Sequence, residues 1–359
     1  MTCRSIIHAA ALAGYRTDLF TTRYDPDVAN DPVVHSLLPR VTRFLPYGWL
    51  RHVAEPELHR RYLAALAEGD IAYLWTLAPV SLFEALRTRG HNIVSEAVNT
   101  RMAVAKPLLD AAYEAAGMPT THGITNARIA DQDARYALCS AIFVPSPGTE
   151  AAFAGTGLEQ RLIPASYGTW VPPSVPFRRP KQQDEIVTFL FIGTLCVRKG
   201  IPQLLAAWKN APKNARLRLV GGMEPGFAAR FRSALSAPNV SVAEFTRDVT
   251  REYNAADVFV QPAIEEGDSI VTYEAAAQGL PILASRPGAG RIGAETDAIT
   301  LVNPADTAAF RSAIAAFASS QDLRFEWGNR ARQAVLSYDW RHVGPRRYAS
   351  LHRFFGGLA

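Results

Sequence analysis

Cysteine is scarce in this sequence, which has three in 359 residues: Cys3, Cys139 and Cys196. Their number is odd, they lie far apart, and none has the short spacing of paired metal ligands. A disulfide framework and a cysteine-based zinc site are therefore both disfavoured. Reduced thiols in the cytosol are the simplest interpretation, and we expect a cytoplasmic protein.

Long apolar runs are missing as well. No run approaches the ~20 residues that a membrane-spanning helix needs. The N-terminal segment MTCRSIIHAAALAGYR contains a short apolar run that includes His8, and it leads directly into strand-like TDLFTT, which disfavours a signal peptide. Any contact with a membrane is therefore expected to be peripheral.

Signatures of several other kinds of site are also lacking. The sequence has no Walker P-loop, no zinc-ligand spacing and no G-x-S-x-G, and its eight histidines form no cluster. GAGRIG, residues Gly288–Gly293, fits G-x-G-x-x-G and follows strand-like PILAS, but no long helix is predicted after it. A dinucleotide site there is disfavoured, and we expect a flexible glycine loop that lines a cleft.

The composition that is present belongs to a globular protein, with 48% hydrophobic and 20% charged residues. A length of 359 residues suits two domains better than one core. The formal net charge of +5 is compatible with anionic small molecules, an anionic membrane surface or nucleic acid, and it selects none of them.

Short strand-like runs alternate with helical periods along the chain, which predicts parallel sheets covered by helices on both faces. DIAYLW, HNIVSE and AIFVPS are strand-like in the first half, and IVTFLFIG, ARLRLVGG and DVFVQPA in the second. Between the halves, VPPSVPFRRPKQQDE is typical of a linker. We predict an α/β fold with two doubly wound, Rossmann-like domains that face a cleft, divided as 1–168, a linker at 169–185, 186–335 and a C-terminal segment at 336–359.

The loop FIGTLCVRKG, Phe191–Gly200, lies between a predicted strand and a helix that is predicted to begin at Ile201. Arg198 and Lys199 stand beside this helix start. Exposed amide groups, the helix dipole and two cations would together form an anion site. The alternative is an ordinary basic pair solvated at the surface.

A second loop, Glu265–Ser269, follows DVFVQPA, and a helix is predicted to begin near Ile270 with Asp268 or Ser269 as its cap. Glu266 lies in this loop and Glu274 about one turn into the helix. Like charges ~4 Å apart repel by several kcal/mol at an intermediate dielectric, so neither carboxylate suits a phosphate.

Carboxylates are, however, good acceptors for paired hydroxyl groups. A nucleotide-sugar has a fitting layout, with a ribose diol, a diphosphate and a sugar diol in order. The alternative is that Glu274 merely interacts with the helix dipole and Glu266 is solvated. Glu265, next to Glu266, is expected to have little effect.

FIGTLCVRKGIPQLLAAW followed by DVFVQPAIEEGDSIVTYEAAAQGLPILAS resembles the donor-binding domain of retaining GT-B glycosyltransferases of family four. The resemblance runs from about Ile186 to the C-terminus, and the E-x7-E motif falls on Glu266 and Glu274. It implies a GT-B fold in which the terminal segment SYDWRHVGPRRYASLHRFF crosses back onto the first domain. The first half resembles the family only weakly, at SAIFVPSPGTEAAFAGTG and RLIPASYGTW.

The resemblance also implies roles for single residues. Glu266 would contact the donor sugar, Glu274 the ribose hydroxyls, and Lys199 the diphosphate. Many members have arginine after the glycine of the first loop, where this chain has Thr194, and Arg198 is expected to supply that charge. The remaining donor-binding positions are Gly193 in the first loop and, in the second, Gly267, Asp268, Ser269 and Ile270, whose amides would face the phosphate and the sugar.

The acceptor side departs from the family. Members often carry a histidine at the end of an acceptor-domain strand, whereas this chain offers Trp75, Glu96, Asn99 and Arg101. Glu96 is the candidate for contacting the acceptor hydroxyl, and an ordinary polar loop residue is the alternative. The family opens with a strand and a glycine-rich turn, while this chain starts in the helix expected after them, so the first domain should lack its first strand and leave an open groove in the sheet.

The activity implied is that of a cytoplasmic, metal-independent, retaining glycosyltransferase without a cofactor. A nucleotide-diphosphate-sugar would be the donor, a glycan, a lipid-linked molecule or a small molecule the acceptor, and no nucleic acid is expected as a partner. The alternatives are a nucleotide-sugar epimerase and a non-catalytic nucleotide-sugar binder. RFLPYGWLRHV, Arg43–Val53, would either lie on a membrane that holds a lipid-linked acceptor or form a loop and helix packed on the protein.

Overall fold

The computed structural model describes residues 2–22, 31–38, 45–175 and 185–356. All strand pairings within these residues are parallel. Parallel strands need helical crossovers that cover both faces of a sheet, and the described chain supplies them. The predicted α/β fold is therefore confirmed.

Two separate sheets form in the first half of the chain. Its strands are β1 (Leu19–Thr21), β2 (Val34–Ser36), β3 (Ile71–Leu74), β4 (Asn92–Glu96), β5 (Ala141–Val144) and β6 (Leu162–Pro164). Its helices are α1 (Thr2–Leu12), α2 (Tyr47–Ala65), α3 (Val80–Thr88), α4 (Met102–Ala116), α5 (Asn126–Leu138) and α6 (Pro147–Ala151). The strands β3-β4-β5-β6 make one sheet, and among the described residues β1 and β2 form a separate pair.

Local sequence explains where several of these elements begin and end. The Thr125 side chain caps α5, and Ser146 and Thr149 form a capping box at the start of α6. Helix α4 ends at Gly117, whose φ of 63° is readily adopted only by glycine. Strand β5 reads AIFV and is buried at every position, as expected for a strand covered on both faces.

One larger sheet organises the second half, in the order β12-β11-β10-β7-β8-β9. These strands are β7 (Val187–Ile192), β8 (Ala215–Val220), β9 (Val240–Ala243), β10 (Val258–Gln261), β11 (Ile282–Ala284) and β12 (Thr300–Leu301). The helices are α7 (Ile201–Trp208), α8 (Phe227–Arg230), α9 (Arg232–Leu235), α10 (Val249–Ala255), α11 (Ile270–Ala277), α12 (Arg286–Glu295), α13 (Thr307–Ser319), α14 (Gln321–Val335) and α15 (Trp340–Gly356). The inner strand β7 packs Phe189 edge-on against Trp208 of α7, with ring centroids 5.3 Å apart.

The last helix, α15, returns to the first half of the molecule. Tyr348 stacks on Tyr15 with ring centroids 5.1 Å apart, and the buried Arg347 donates a hydrogen bond to the Ala165 carbonyl at 2.7 Å. Just before α15, Trp340 N–H donates to the Thr169 carbonyl and Thr169 N–H donates to the Tyr338 carbonyl, each at 3.1 Å. The predicted crossing of the C-terminal helix onto the first domain is confirmed.

The prediction of a flexible glycine loop at Gly288–Gly293 is wrong. These residues belong to α12, which begins after a Ser285 cap and is kinked at Gly290, where φ is 62° and ψ is −159°. A Cβ on Gly288 would lie 2.0 Å from the Gln261 carbonyl oxygen, so the glycine lets α12 pack directly on β10. The glycines thus lie inside a helix and serve its packing, which sequence alone did not reveal.

Several expectations concern residues that the structure does not describe. Residues 176–184 of the predicted linker, and Arg43 and Phe44 of the aromatic segment, lie outside the described residues. Among the residues described, no strand precedes α1, which begins at Thr2. No helix in this part of the chain is long and apolar enough to cross a bilayer. The exact division into domains stays a prediction.

Candidate functional site

The two loops singled out in the sequence lie side by side. Strands β7 and β10 are neighbours in the sheet, so the loops at their carboxyl ends meet at one edge. Ile264 N–H donates a hydrogen bond to the Arg198 carbonyl at 2.9 Å and ties the loops together. Gly200 has a φ of 70°, and a Cβ there would lie 1.9 Å from the Pro262 carbonyl oxygen. Glycine is therefore required for the close approach of the two loops.

Two cations and two carboxylates meet in this corner. The Lys199 ammonium pairs with Glu266, and Arg198 Nη1 lies 3.3 Å from Glu265 Oε2 and 3.7 Å from Glu266 Oε2. All four side chains are mostly buried. Burial by itself would raise the pKa of the Glu266 carboxyl, but the charges of Lys199 and Arg198 outweigh it and lower that pKa. Glu266 is therefore ionised, and the basic pair is held in the interior of the cleft and not solvated as a surface pair.

Glu274 lies one turn into α11, as expected from the sequence. Its Oε2 accepts a hydrogen bond from the Tyr253 hydroxyl at 2.8 Å. Burial raises the pKa of the Glu274 carboxyl, and the bond from Tyr253 only partly offsets this. An acceptor group is thus positioned at the start of α11, on a helix and with a fixed orientation.

The helix starts in this corner lack side-chain caps. Ser285, Asp306 and Ser320 cap the starts of α12, α13 and α14 with their side chains. Gly200 before α7 and Ser269 before α11 make no such bond. The amide groups of these two helix starts therefore remain suited to a ligand with negative charge.

The side chains of Asp268 and Ser269 are engaged within the protein, and the expectation that their backbone amides face the donor stays a prediction. Asp268 accepts hydrogen bonds from Tyr167 N–H at 2.9 Å, Arg291 N–H at 3.0 Å and the Tyr273 hydroxyl at 2.8 Å. Burial raises the pKa of Asp268 to about 7 although these donors oppose the shift. The Ser269 hydroxyl accepts from the Gln261 side-chain amide at 2.8 Å. Only the backbone of these two residues is left for a ligand.

Gly267 lies in the loop that precedes α11, and Ile270 is the first residue of that helix. Gly193 and Thr194 lie in the loop that follows β7. A Cβ on Gly267 would lie 1.8 Å from the Val98 carbonyl oxygen, so glycine lets this loop touch the first half of the molecule directly. Ile270 is partly buried at the start of α11. Gly193, with a φ of 147°, is followed by an exposed Thr194.

Glu265 is a residue that sequence reasoning missed. It is only 3% exposed, and its Oε1 accepts a hydrogen bond from Thr100 N–H of the first half at 3.0 Å. Its other oxygen accepts from Arg198. Two adjacent glutamates before Gly267 were the one sequence feature that could have drawn attention to Glu265. Its partner Thr100 could not be predicted from local sequence, because it is 165 positions away. Glu265 therefore connects the cation corner to the loop that follows β4.

Glu96, the acceptor-side candidate, is enclosed. It is 0% exposed and forms a buried ion pair with Arg347 of α15, while the Tyr73 hydroxyl donates to it as well. Tyr167 adds a hydrogen bond at 3.3 Å. Burial raises the pKa of Glu96, and Arg347 opposes this shift. In this arrangement Glu96 presents no surface to an acceptor and anchors α15 to the first sheet.

The other acceptor-side residues named from the sequence differ in exposure. Arg101 forms a bidentate ion pair with Asp133, in which Nε donates to Oδ1 at 2.8 Å and Nη2 donates to Oδ2 at 2.7 Å. Asn99 is exposed beside Gly267, so it is the polar side chain of this group that lies open at the cleft. Within the described ranges, no group of three or more His, Cys, Asp or Glu side chains is arranged to hold a metal ion.

Comparison with known proteins gives a partial match in sequence and a full-length match in fold. The chain is 29% identical over 170 residues to MMP alpha-(1->4)-mannosyltransferase of Mycolicibacterium hassiacum. The matched stretch covers 45% of this chain and 41% of that protein. The chain thus matches less than half the length of this curated relative.

Several solved structures resemble almost the whole chain. The sucrose-phosphate synthase of Thermosynechococcus elongatus has a TM-score of 0.73 at 21% identity, covering 99% of this chain and 93% of that chain. Anabaena HepE in complex with UDP and glucose has a TM-score of 0.67 at 15% identity, covering 97% and 94%. The chain therefore has the GT-B fold, and its residues 186–320, which contain both loops of the site, match the family model Glycosyl transferases group 1.

Proposed function

We propose that this protein is a retaining, metal-independent glycosyltransferase of family-four type, which transfers a sugar from a nucleotide-diphosphate-sugar to a glycan, a lipid-linked acceptor or a small molecule. Such a reaction belongs to polysaccharide or glycoconjugate biosynthesis. The observation that carries the proposal is the corner where Arg198 and Lys199 meet Glu265 and Glu266. The matched family model and the GT-B neighbours support it.

The donor would bind across the two uncapped helix starts. Its diphosphate would meet Lys199, Arg198 and the first amides of α7 and α11, because these are the cations and helix N-termini of the corner. Glu274, oriented by Tyr253, would accept hydrogen bonds from the ribose hydroxyls. Glu266 would accept hydrogen bonds from the sugar hydroxyls.

The ion pair between Lys199 and Glu266 suggests an exchange of partners when the donor arrives. A diphosphate carries more negative charge than one carboxylate, so Lys199 would turn toward it. Glu266 would then be free to accept hydrogen bonds from the sugar. The pair keeps both groups compensated in a mostly buried position until that exchange, since an unpaired buried charge is costly.

In the proposed reaction the bond from the anomeric carbon to the diphosphate oxygen breaks, and a bond from the acceptor oxygen to the same face of that carbon forms. The acceptor hydroxyl proton passes to the leaving diphosphate oxygen. Lys199, Arg198 and the helix amides stabilise the charge that develops on the leaving group, and such preorganised stabilisation is typically the largest contribution to catalysis. Closure of the two domains keeps water out.

We also propose that the protein works in the cytoplasm and touches the membrane surface through α2. Trp49 and Val53 are four residues apart on this helix and are 78% and 77% exposed. The formal net charge of the chain is +5, which suits an anionic lipid surface. Sedimentation with phosphatidylglycerol vesicles tests this, and equal binding by wild type and Trp49→Gln/Val53→Gln would contradict it.

A panel of nucleotide-sugars tests the main proposal. The donor should raise the thermal midpoint, because a ligand that binds only the folded state stabilises it. Transfer to an acceptor or hydrolysis of that donor, with retained anomeric configuration by NMR and an unchanged rate in EDTA, is the expected result. Lys199→Ala should lose the activity, whereas Lys209→Ala, an exposed lysine of the same half, should keep it.

The outcomes also separate the alternatives. A midpoint shift without turnover would indicate a non-catalytic binder. Conversion of the free nucleotide-sugar into its epimer without an acceptor would indicate an epimerase. A rate that disappears in EDTA and returns with Mg²⁺ would contradict metal independence.

A further inference from the structure

The loop after β8 carries a buried carboxylate, Glu224, next to the loop that holds the two cations. Gly221 has a φ of 143°, and a Cβ there would lie 2.1 Å from the Gly193 carbonyl oxygen, so the loops after β7 and β8 touch through their backbones. Leu195 N–H donates a hydrogen bond to the Gly222 carbonyl at 2.8 Å, and Glu224 N–H donates to the Leu195 carbonyl at 3.1 Å. The loop after β7 is thus tied to the residues around Glu224.

The side chain of Glu224 joins three separate segments of the chain. Its Oε1 accepts a hydrogen bond from Val197 N–H at 2.7 Å. Its Oε2 lies 2.5 Å from the Tyr113 hydroxyl and 2.6 Å from the Thr121 hydroxyl, and both of these residues belong to the first half. Val197 directly precedes Arg198. One oxygen of the carboxylate therefore bonds to the backbone beside the cations, and the other bonds to the first half of the molecule.

Apolar packing brings α4 to the same place. The last turns of this helix put Tyr113 into the same buried apolar cluster as Val197. Arg230 of α8 donates a hydrogen bond through Nε to the carbonyl of Ala116, the last residue of α4, at 3.0 Å. The hydroxyls of the first half therefore reach Glu224 because α4 is packed against the second half.

We propose that Glu224 is a positioning residue for the donor diphosphate, which sets the place of Val197 and of the two cations after it while α4 is packed against the second half. A buried carboxylate is costly unless its oxygens accept hydrogen bonds. With both hydroxyls on Oε2, the other oxygen is directed at Val197 N–H. When α4 moves away, the carboxylate loses those donors and can turn to water, and Val197 loses its acceptor. The inference rests on the proposed function, in which this loop binds the diphosphate.

The coupling should act in both directions, because a free energy that links two binding events is reciprocal. A diphosphate held by the cations would fix the loop after β7 and would thereby strengthen the bond from Val197 to Glu224. The contact of Glu224 with Tyr113 and Thr121 should then open less often. A contact that only stabilises the fold would not respond to the ligand in this way.

Hydrogen exchange of the ligand-free protein tests whether Glu224 fixes the loop. Glu224→Ala removes the acceptor, whereas Tyr113→Phe/Thr121→Val keeps the carboxylate and removes its two partners in the first half. In both variants we expect the amides of residues 194–200 to exchange at least about tenfold faster than in wild type. Should Glu224→Ala fail to fold, the double variant decides the question alone.

Two further variants separate positioning from general loss of stability. Glu224→Gln retains an oxygen that accepts from Val197 N–H, so it should keep most of the protection of residues 194–200. Tyr136→Phe/Thr120→Val removes one buried and one exposed hydroxyl of the first half that do not contact Glu224. It should leave the exchange of these residues as in wild type.

Binding of UDP, GDP and ADP, measured by calorimetry, gives the second readout. The diphosphate that binds wild type should bind Glu224→Ala and Tyr113→Phe/Thr121→Val at least about fivefold more weakly. It should also slow the exchange of residues 117–122 in wild type but not in Glu224→Ala. Unchanged exchange of residues 194–200 in either variant, or wild-type affinity in either, would overturn the proposal. If none of the three ligands binds wild type, the proposed function fails, and exchange in the ligand-free protein still decides whether Glu224 fixes the loop.

Discussion

Thr100 and Glu265 join the two halves of the molecule: the Thr100 N–H donates a hydrogen bond to Glu265 Oε1 at 3.0 Å. The other oxygen of the same carboxylate accepts from Arg198 at 3.3 Å. Glu265 therefore couples the loop after β4 to one of the two cations that we propose meet the donor diphosphate. The contact is a positioning contact, since Glu265 would act on the ligand only through Arg198.

Loss of this carboxylate should cost stability. Glu265→Ala leaves Thr100 N–H and Arg198 without their acceptor, so we expect the free energy of unfolding to fall by about 1–3 kcal/mol. Urea unfolding measures it. Glu244→Ala, an exposed glutamate of the same half, is the matched control and should stay within about 0.5 kcal/mol of wild type. Equal stabilities of the two variants would show that the Glu265 contacts contribute nothing.

Replacing both Arg198 and Lys199 with alanine should weaken the binding of a nucleoside diphosphate and remove most of its salt dependence. The reason is that these cations lie in the cleft and would provide its charge attraction for the diphosphate. Calorimetry at two salt concentrations measures both effects. Lys209→Ala/Lys213→Ala, which removes two exposed lysines, serves as the control. Wild-type affinity in the Arg198/Lys199 variant would show that the pair does not bind the diphosphate.

The two glutamates of the second loop and helix should give different phenotypes. Glu274→Ala should weaken binding of the donor and of the free nucleoside diphosphate by about 1–3 kcal/mol, because the ribose is common to both. Glu266→Ala removes the partner of Lys199 but no group that the free diphosphate contacts. It should therefore leave diphosphate affinity unchanged or improved while turnover falls.

Calorimetry and steady-state rates on the two single variants decide this assignment. The assignment fails if both variants lose diphosphate affinity equally and keep wild-type turnover.

The buried pair of Glu96 and Arg347 predicts a non-additive double mutant. Arg347→Met leaves Glu96 as an unpaired buried charge, so stability should fall by about 3–5 kcal/mol. Glu96→Gln together with Arg347→Met should lose less than the sum of the two single changes, as a double-mutant cycle by denaturant unfolding would show. Arg346→Met, on the exposed side of α15, is the control for the helix.

The same double variant tests the acceptor role assigned to Glu96 from the sequence. If Glu96 is structural, the folded double variant should keep the wild-type KM for the acceptor. A specific rise in that KM would restore Glu96 as an acceptor contact.

Asp268 should make stability depend on pH. Burial raises its pKa in the folded protein to about 7, above the ~3.9 of an unfolded chain. Between about pH 4 and pH 7 the folded state therefore holds a proton that the unfolded state has released, so this group's contribution to stability falls as pH rises through that window and is constant outside it. Asp268→Asn should flatten the dependence, and Asp297→Asn, at an exposed site, should not. Parallel curves for wild type and Asp268→Asn would contradict the shifted pKa.

The local pattern of the sequence predicted much of the fold. Strand and helix periods located the sheets, and the spacing of Ile270 after DVFVQPA located the start of α11 correctly. Both loops were also predicted to lie at strand ends, because the alternation of strands and helices along the chain puts a loop after each strand. The helix α12 was missed because glycines argue against a helix, and only the tight contact of Gly288 with β10 explains them.

The parts that sequence did not predict are contacts between distant positions. Glu96 and Arg347 are 251 positions apart, and nothing in either local sequence indicates that they meet. The same is true of the burial of Asp268 against Tyr167, 101 positions away. A charged residue at a strand end favours a functional interpretation from sequence, whereas its burial depends on how the two halves pack.

The paired backbone hydrogen bonds between Thr169 and the segment Tyr338–Trp340 have a mechanical consequence. Within the described residues, these bonds fasten to each other the two segments that connect the halves, one after β6 and one before α15. Opening of the cleft would then be a hinge rotation about these bonds. Sliding of the two halves past each other would be resisted, because it would break the bonds. The bond from Thr100 to Glu265 joins the two halves at other residues, so a rotation that opens the cleft would release it while the hinge bonds stay intact.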